Sequence, residues 1–480
     1  MPSLPQLAAY VFYVVAALGA LFLGVREYWY NVVADKRTAH RKSFRLVRED
    51  ILIGFFHPYC DAGGGGERVL WTAIRAIQAD RPRAYCLIYS WDKVQSKTEL
   101  LAKVKAQFNI TVDAERVILV TLTSWTHLEA SRKATLILQS LGSVRVAWEA
   151  LNLAVPDVFI DTTGFAFTYP LVKYFFRVKL VAYVHYPTIS TEMLNKVEKR
   201  LADFNNTSEI AGSPVRSGTK LWYYRVFTML YGLVGKAANV VMVNSTWTMG
   251  HINGTWGTSA KTELIYPPCD TKSLQSLQLE NREKLVISLG QFRPEKNHAA
   301  QIEAFKLLID RHASELKDVR LAVIGSTRND EDRARVTKLQ GLIDKAGLKD
   351  KVTIVENAPY DTVLSYLKRA SIGLHTMADE HFGISIIEFM AAGVIPVAHN
   401  SAGPKLDIIT PFKGEQPGFL ASTPEEYADA LYKALTLPSA QATRIRTNAR
   451  ESVSDRFSDE AFQTQFVAAI QPLLPKRQRA

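Results

Sequence analysis

Short apolar runs rich in Val and Ile alternate with longer amphipathic stretches from residue 51 onward. Ile51–Phe56, Ala84–Ser90, Val117–Leu122, Val158–Thr162, Leu180–His185 and Val240–Asn244 form a first series. Leu285–Leu289, Leu321–Gly325, Val352–Val355, Ile372–His375 and Val394–Ala398 form a second. Continuous apolar runs of this length, separated by helix-length stretches, predict parallel strands buried on both faces with crossover helices. Consecutive prolines end regular structure, so Tyr266-Pro267-Pro268-Cys269-Asp270 and the polar 271–282 predict a linker between the series. The expected fold class is α/β, with two doubly wound domains at 50–270 and 271–454 and a cleft between them. Residues 455–480 are expected to form a closing amphipathic helix and a tail, with Phe457, Phe462, Phe466 and Ile470 on the apolar face. Ligands of such sheets bind beyond the carboxyl ends of the strands.

The N-terminus breaks this pattern. No charged side chain occurs from Met1 to Val25, and 7–25 is a mostly apolar run. As a helix its 19 residues span roughly 28 Å, close to the hydrocarbon thickness of a bilayer. It lacks the basic leader and short apolar stretch of a signal peptide. Residues 1–25 are therefore expected to form a transmembrane anchor. Seven Lys/Arg against two acids follow between Arg26 and Arg48, so 26–49 reads as a basic juxtamembrane segment. By the positive-inside rule the remaining chain lies in the cytosol, and the cluster is suited to anionic headgroups. Two aromatic stretches with scattered cations, 165–178 and 221–234, read equally as interfacial segments or as core.

The chain has 480 residues, 47% apolar and 22% charged, with 26 Gly and 20 Pro, which excludes collagen-like and largely disordered classes. Cys60, Cys86 and Cys269 are too few and too scattered for a disulfide framework or a Cys-rich zinc site. The formal charge of +11 would raise nucleic acid as a partner, but nearly half the excess sits in the juxtamembrane stretch, and no recognition motif accompanies it. Nucleic acid is not expected.

Three loops carry candidate chemistry. Strand Ile51–Phe56 runs into His57-Pro58-Tyr59-Cys60-Asp61-Ala62 and then Gly63, Gly64, Gly65, Gly66, Glu67 and Arg68, before residues of helical spacing. Four glycines between a strand and a helix let backbone approach a ligand, and a helix N-terminus favours an anion or a polar group. The pattern is neither a Walker loop nor a dinucleotide fingerprint. Arg293 and Lys296 emerge together past the first strand of the second domain, a pair suited to a diphosphate leaving group whose charge grows as its bond breaks. In 379–393, Glu380 precedes an apolar helix ended by Gly393, and Glu388 lies about one turn inside it. Carboxylates eight residues apart can reach different hydroxyl-bearing parts of one extended ligand, while amides near Phe382, Gly383, Ile384 and Ser385 receive its phosphate. Glu388 among apolar residues also suits a structural carboxylate bonded to backbone. The acidic run Asp330-Glu331-Asp332 lies within a charged stretch and reads as a solvated helix start, so no metal is expected there.

Glu380-x7-Glu388, preceded by Arg293 and Lys296 and followed by Asn400-Ser401-Ala402-Gly403-Pro404, resembles the retaining GT-B glycosyltransferases of family four over about residues 50–470. Phe55-Phe56-His57-Pro58-Tyr59-Cys60, the Gly63–Gly66 loop with Glu67-Arg68-Val69-Leu70-Trp71, Val243-Asn244-Ser245-Thr246-Trp247-Thr248 and 398–408 are similar, more narrowly, to the GDP-mannose-dependent α-1,2-mannosyltransferases of dolichol-linked oligosaccharide synthesis. The resemblance implies two Rossmann-like domains, the first facing acceptor and membrane and the second holding the donor. It implies transfer of mannose from GDP-mannose to a dolichyl-diphosphate-linked oligosaccharide, adding its fourth and fifth mannoses at the cytosolic face of the endoplasmic reticulum. Arg293 and Lys296 would hold the donor diphosphate, Glu380 the mannose hydroxyls and Glu388 the ribose. His185, in Tyr183-Val184-His185-Tyr186-Pro187, matches a family position near the sugar, although alone it reads as a core histidine at a strand end. No protein nucleophile, metal or cofactor is implied. The membrane lipids of the reticulum are expected partners, and a complex with other mannosyltransferases of that membrane is compatible with the reading. A different sugar nucleotide or linkage, or a silent scaffold subunit of the same fold, stands as the alternative; the intact Arg293, Lys296, Glu380 and Glu388 argue against the scaffold.

Overall fold

The computed structural model of the chain describes residues 4–475 except 92, 95, 129–134, 190–192, 194–197, 199–213 and 258–260, and for 4–23, 135, 214–217 and 261 it describes backbone alone. Two parallel sheets carry the fold. The first contains β1 (Ile51–Phe56), β2 (Ala84–Trp91), β3 (Val117–Leu122), β4 (Val158–Asp161), β5 (Lys179–Val184), β6 (Val240–Val243) and β7 (Lys261–Leu264), in the order β3-β2-β1-β4-β5-β6-β7. The second contains β8 (Glu283–Leu289), β9 (Arg320–Gly325), β10 (Val352–Glu356), β11 (Ala370–His375), β12 (Ile395–His399) and β13 (Phe419–Ala421), in the order β10-β9-β8-β11-β12-β13. Every strand pairing is parallel. The same winding is thus built twice. In each sheet the order reverses beside its first strand, which opens a crevice between β1 and β4 and another between β8 and β11.

Buried residues form two clusters against each sheet. The strands are buried along nearly their whole length, as in Ile51–Phe56, because crossover helices cover both faces. The expected closing helix is the second of two, Ser439–Arg456 and Asp459–Ile470, parted where the Ser458 side chain caps it, and Phe457, expected on its apolar face, lies instead between them in the core of the second domain. The second returns to the first domain. Its Phe462, Phe466 and Ile470 join the core under helix Gly65–Asp80, each burial contributing roughly 1.5–3 kcal/mol. The two domains are therefore joined by two passes of chain, bonded to each other where Cys269 N donates to Phe457 O.

The 7–25 run lies within one helix, Leu4–Ser43, and its side chains through residue 23 fall outside the described ones. Among the described residues no helix is long and apolar enough to cross a membrane. The basic segment continues the same helix instead of forming a separate connector, since no proline interrupts it. Its later turns pack on the first domain. Trp29 stacks on Trp148, Val33 joins the core, and Arg41 pairs with Asp157 at 3.0 Å. In 165–178 the chain makes short helical turns, Ala166–Thr168 and Leu171–Phe175, which bury Val172 and Phe176 and expose Tyr174 and Phe175. Helix Pro214–Gly235 buries Phe227 and Tyr231 and exposes Trp222, Met229 and Leu233. The three cysteines are free and buried.

Candidate active site

The two crevices face each other across a cleft of about 1040 Å³. From the first domain come Gly65, Gly66, His185, Tyr186 and Trp247; from the second come Arg293, Lys296 and the Asp379–Ser385 loop with Glu388. His381 links the two walls, stacked on Tyr186 with ring centroids 5.5 Å apart and lying 5.0 Å from Trp247. Thr246 N donates to Asp407 at 3.0 Å and adds a second link.

Glu380 is held by two donors. Its Oε2 accepts from Lys296 Nζ at 2.6 Å and from His375 Nε2 at 3.2 Å. Burial opposes the charge on Glu380, but the His375 hydrogen bond and the Lys296 ammonium outweigh it and hold the carboxyl well below the usual range. Lys296 ends a short turn, Pro294–Lys296, and the left-handed Asn297 (φ 49°) redirects the chain into helix His298–His312. Thr376 Oγ1 donates to the carbonyls at Lys296 and Asn297 and accepts from Gln301 Nε2, fixing that turn from behind.

The loop bearing Glu380 is pinned at Asp379 and at Glu380 itself. Asp379 N donates to Ser401 Oγ at 2.9 Å, and Gly403 N to Glu380 O at 2.9 Å. A Cβ at Gly403 would lie 2.6 Å from Phe382 O, so only glycine allows the 399–404 turn so close to the loop. Gly383 (φ +118°) then starts helix Ile384–Ala392, and Glu388 lies on its cleft-facing side. Burial pushes the Glu388 carboxyl up to about 7, with Arg68 opposing and Asp270 adding to the rise. The Arg293 guanidinium reaches the cleft with its Nη1 3.6 Å from Glu295, and its buried Nε has no partner among the described residues. The geometry thus brings together Arg293, Lys296, Glu380, Phe382, Gly383, Ile384, Ser385 and Glu388.

The glycine loop divides. Gly63 (φ +86°) makes the turn and its carbonyl accepts from Gln107, while Gly64 caps helix Gly65–Asp80. Gly65 and Gly66 reach the cleft, and a Cβ on Gly65 would lie 2.7 Å from Ile384 Cδ1 across it. Glu67 binds Gly64 N and lies 3.1 Å from His57 Nε2. Arg68 faces away from the cleft. Its guanidinium donates to both oxygens of Asp459 and to Phe108 O, tying the closing helix to the first domain; a helical repeat turns the residue after Glu67 toward that neighbour. His185 lines the cleft with Nε2 buried and unpartnered among the described residues, and burial holds its pKa down to about 4.

Sequence reasoning singled out neither His375 nor His57. Each is the first polar residue at the carboxyl end of a strand flanking a crevice, and that position was the available signal. The acidic run 330–332 opens helix Asp330–Lys345, where Asp332 N donates to the Asn329 cap and Asp330 pairs with Arg333.

Residues 50–256 match the family described as ALG11 mannosyltransferase N-terminus, and 270–452 match glycosyl transferases group 1. The chain is 45% identical to the mouse GDP-Man:Man(3)GlcNAc(2)-PP-Dol alpha-1,2-mannosyltransferase over 89% of this chain and 88% of that one. It is 44% identical to the human protein of the same name, with the same coverage, and 39% identical to that of Caenorhabditis elegans over 89% and 92%. Among solved structures, sucrose-phosphate synthase from Thermosynechococcus elongatus aligns at a TM-score of 0.62, 16% identity and 88% and 99% coverage. Anabaena Alr3699/HepE in complex with UDP-glucose aligns at 0.57, 18% identity and 88% and 100%. These two likenesses bear on the fold, which is the two-domain GT-B architecture. With that fold and relatives of such identity along nearly the whole chain, the protein belongs to the family of GDP-Man:Man(3)GlcNAc(2)-PP-Dol alpha-1,2-mannosyltransferases.

Proposed function

We propose that the cleft transfers mannose from GDP-mannose, with retention, to Man3GlcNAc2-PP-dolichol and then to Man4GlcNAc2-PP-dolichol. The observation that carries this reading is the Lys296–Glu380–His375 cluster lining the same side of the cleft as Arg293, which shares a short turn with Lys296. Arg293 and Lys296 hold the diphosphate and stabilise the charge that grows as the bond from mannose C1 to the phosphate oxygen breaks. Glu380, kept ionised by its two donors, orients the mannose hydroxyls; Glu388 accepts from the ribose. The acceptor hydroxyl attacks C1 from the face the phosphate leaves, and its proton passes to the departing phosphate oxygen, releasing GDP. Paired cations serve the diphosphate without a divalent ion.

The acceptor's lipid places the enzyme at the endoplasmic reticulum membrane. In this reading helix Leu4–Ser43 enters the bilayer from the cytosolic side, and the exposed Tyr174, Phe175, Trp222, Met229 and Leu233, beside Lys173 and Arg225, rest on its surface. Calorimetric titration of the protein with GDP-mannose in EDTA tests the donor assignment. Saturable binding that Arg293→Ala weakens by about tenfold or more supports it; equal affinity for UDP-glucose, or binding indifferent to Arg293, contradicts it.

A further inference from the structure

A second cavity of about 420 Å³ opens off the main cleft within the first domain. Gly66, His185, Tyr186 and Thr188 line both, so the two spaces meet at the glycine loop. At that junction lies a polar cluster the transfer chemistry does not use. His57 Nδ1 is 2.7 Å from Thr162 Oγ1, and His57 Nε2 is 3.1 Å from Glu67 Oε1. His185 Nε2 is 3.6 Å from where a Cβ on Gly66 would stand, buried and without a partner among the described residues. A helix-cap role accounts for Glu67 Oε2, which takes Gly64 N, but not for a buried histidine bridging Glu67 and Thr162 on the wall of an open space. The lining also carries hydroxyls, Ser140 and Ser143, together with the rings of Phe165 and Phe167. Hydroxyls, amphoteric ring nitrogens and a carboxylate between aromatic faces suit a sugar, which presents donors and acceptors around its edge and C–H groups on its faces. The volume, near the lower end for ligand sites, suits a terminal unit of a glycan and not its whole length.

We propose that this cavity receives the terminal sugar of the acceptor glycan, and that Glu67, oriented by His57, selects which hydroxyl of that sugar faces the donor. The inference rests on the acceptor being an oligosaccharide, as the function above requires. A carboxylate with one oxygen on the loop cap and the other on His57 keeps lone pairs for a sugar hydroxyl. The hydrogen bond from His57 fixes the rotamer, so the selected hydroxyl is held at the mouth between Gly66 and His185. The glycine loop then serves both substrates: Gly65 approaches the donor-side helix, and Gly66 the acceptor.

The test measures acceptor KM and GDP-mannose affinity separately in Glu67→Gln and in Ser140→Phe, which adds bulk to the cavity lining from helix Thr135–Leu153, outside the glycine loop. Both should raise the acceptor KM by about 10- to 100-fold and leave GDP-mannose affinity within about twofold of wild type. Because Glu67 also caps a helix, Ser140→Phe keeps the idea exposed if Glu67→Gln fails to fold. An acceptor KM within about twofold of wild type in folded Ser140→Phe, or parallel loss of donor affinity in both variants, overturns the proposal. Failure of the wild-type protein to transfer mannose at all would instead overturn the function it rests on.

Discussion

Glu380 carries two donors on a single oxygen, so each partner has a separable effect. Lys296 meets the carboxylate and, in the proposed function, the donor diphosphate, so Lys296→Ala should cut turnover by about 10²-fold or more, as loss of a transition-state charge partner does. His375 acts through Glu380. His375→Ala should lower kcat by about tenfold with GDP-mannose KM little changed, whereas a merely structural histidine would move the thermal midpoint first; steady-state kinetics alongside thermal unfolding separates the two. His298 makes a different prediction. Burial, helped by the Lys296 charge, holds it down to about 4 from 6.5, with neither ring nitrogen partnered among the described residues. A base depressed in the fold is protonated more readily in the unfolded chain, so stability is full above about 6.5 and falls as pH drops toward 4, by up to about 3 kcal/mol for such a group. His298→Phe, beside the Phe292 ring, should flatten that acid limb in denaturation measured between pH 7 and pH 5; an unchanged slope would remove His298 as its cause.

At the scale of elements, the long apolar strands were legible because burial on both faces leaves an uninterrupted Val/Ile signal. Lys261–Leu264 and Phe419–Ala421 were not, being short edge strands, the first largely polar. Glu380, Glu388, Lys296 and Arg293 were legible through spacing against predicted strand and helix ends. His57 and His375 were hidden because a histidine at a strand end carries no pattern of its own; only the partner across the crevice gives it meaning. Arg68 was misplaced with the loop for the complementary reason, since its partner Asp459 lies 391 residues away. The loop makes its own prediction. Gly63→Ala forces a side chain into φ +86° and should cost about 1–2 kcal/mol, read as a lower denaturation midpoint; no change would mean the turn is held elsewhere.

The whole molecule is two copies of one winding that close on each other, with the chain crossing twice and its last helix returned to the first domain. The Arg68–Asp459 pair, its side chains 10% and 15% exposed, fastens that return. Asp459→Ala leaves Arg68 and Arg75 short of their shared carboxylate and should cost about 2–4 kcal/mol, with faster hydrogen exchange over 459–470 than over the strands. Transfer itself is read most directly from mass. The purified protein is incubated in EDTA with GDP-mannose and a Man3GlcNAc2-diphosphate lipid, and the product is weighed before and after an α-1,2-specific mannosidase. A gain of two hexoses, both removed by that enzyme, is the expected result. No gain from folded protein, even with magnesium or manganese restored, or a gained hexose that resists the mannosidase, would show that the protein does not make this α-1,2 transfer.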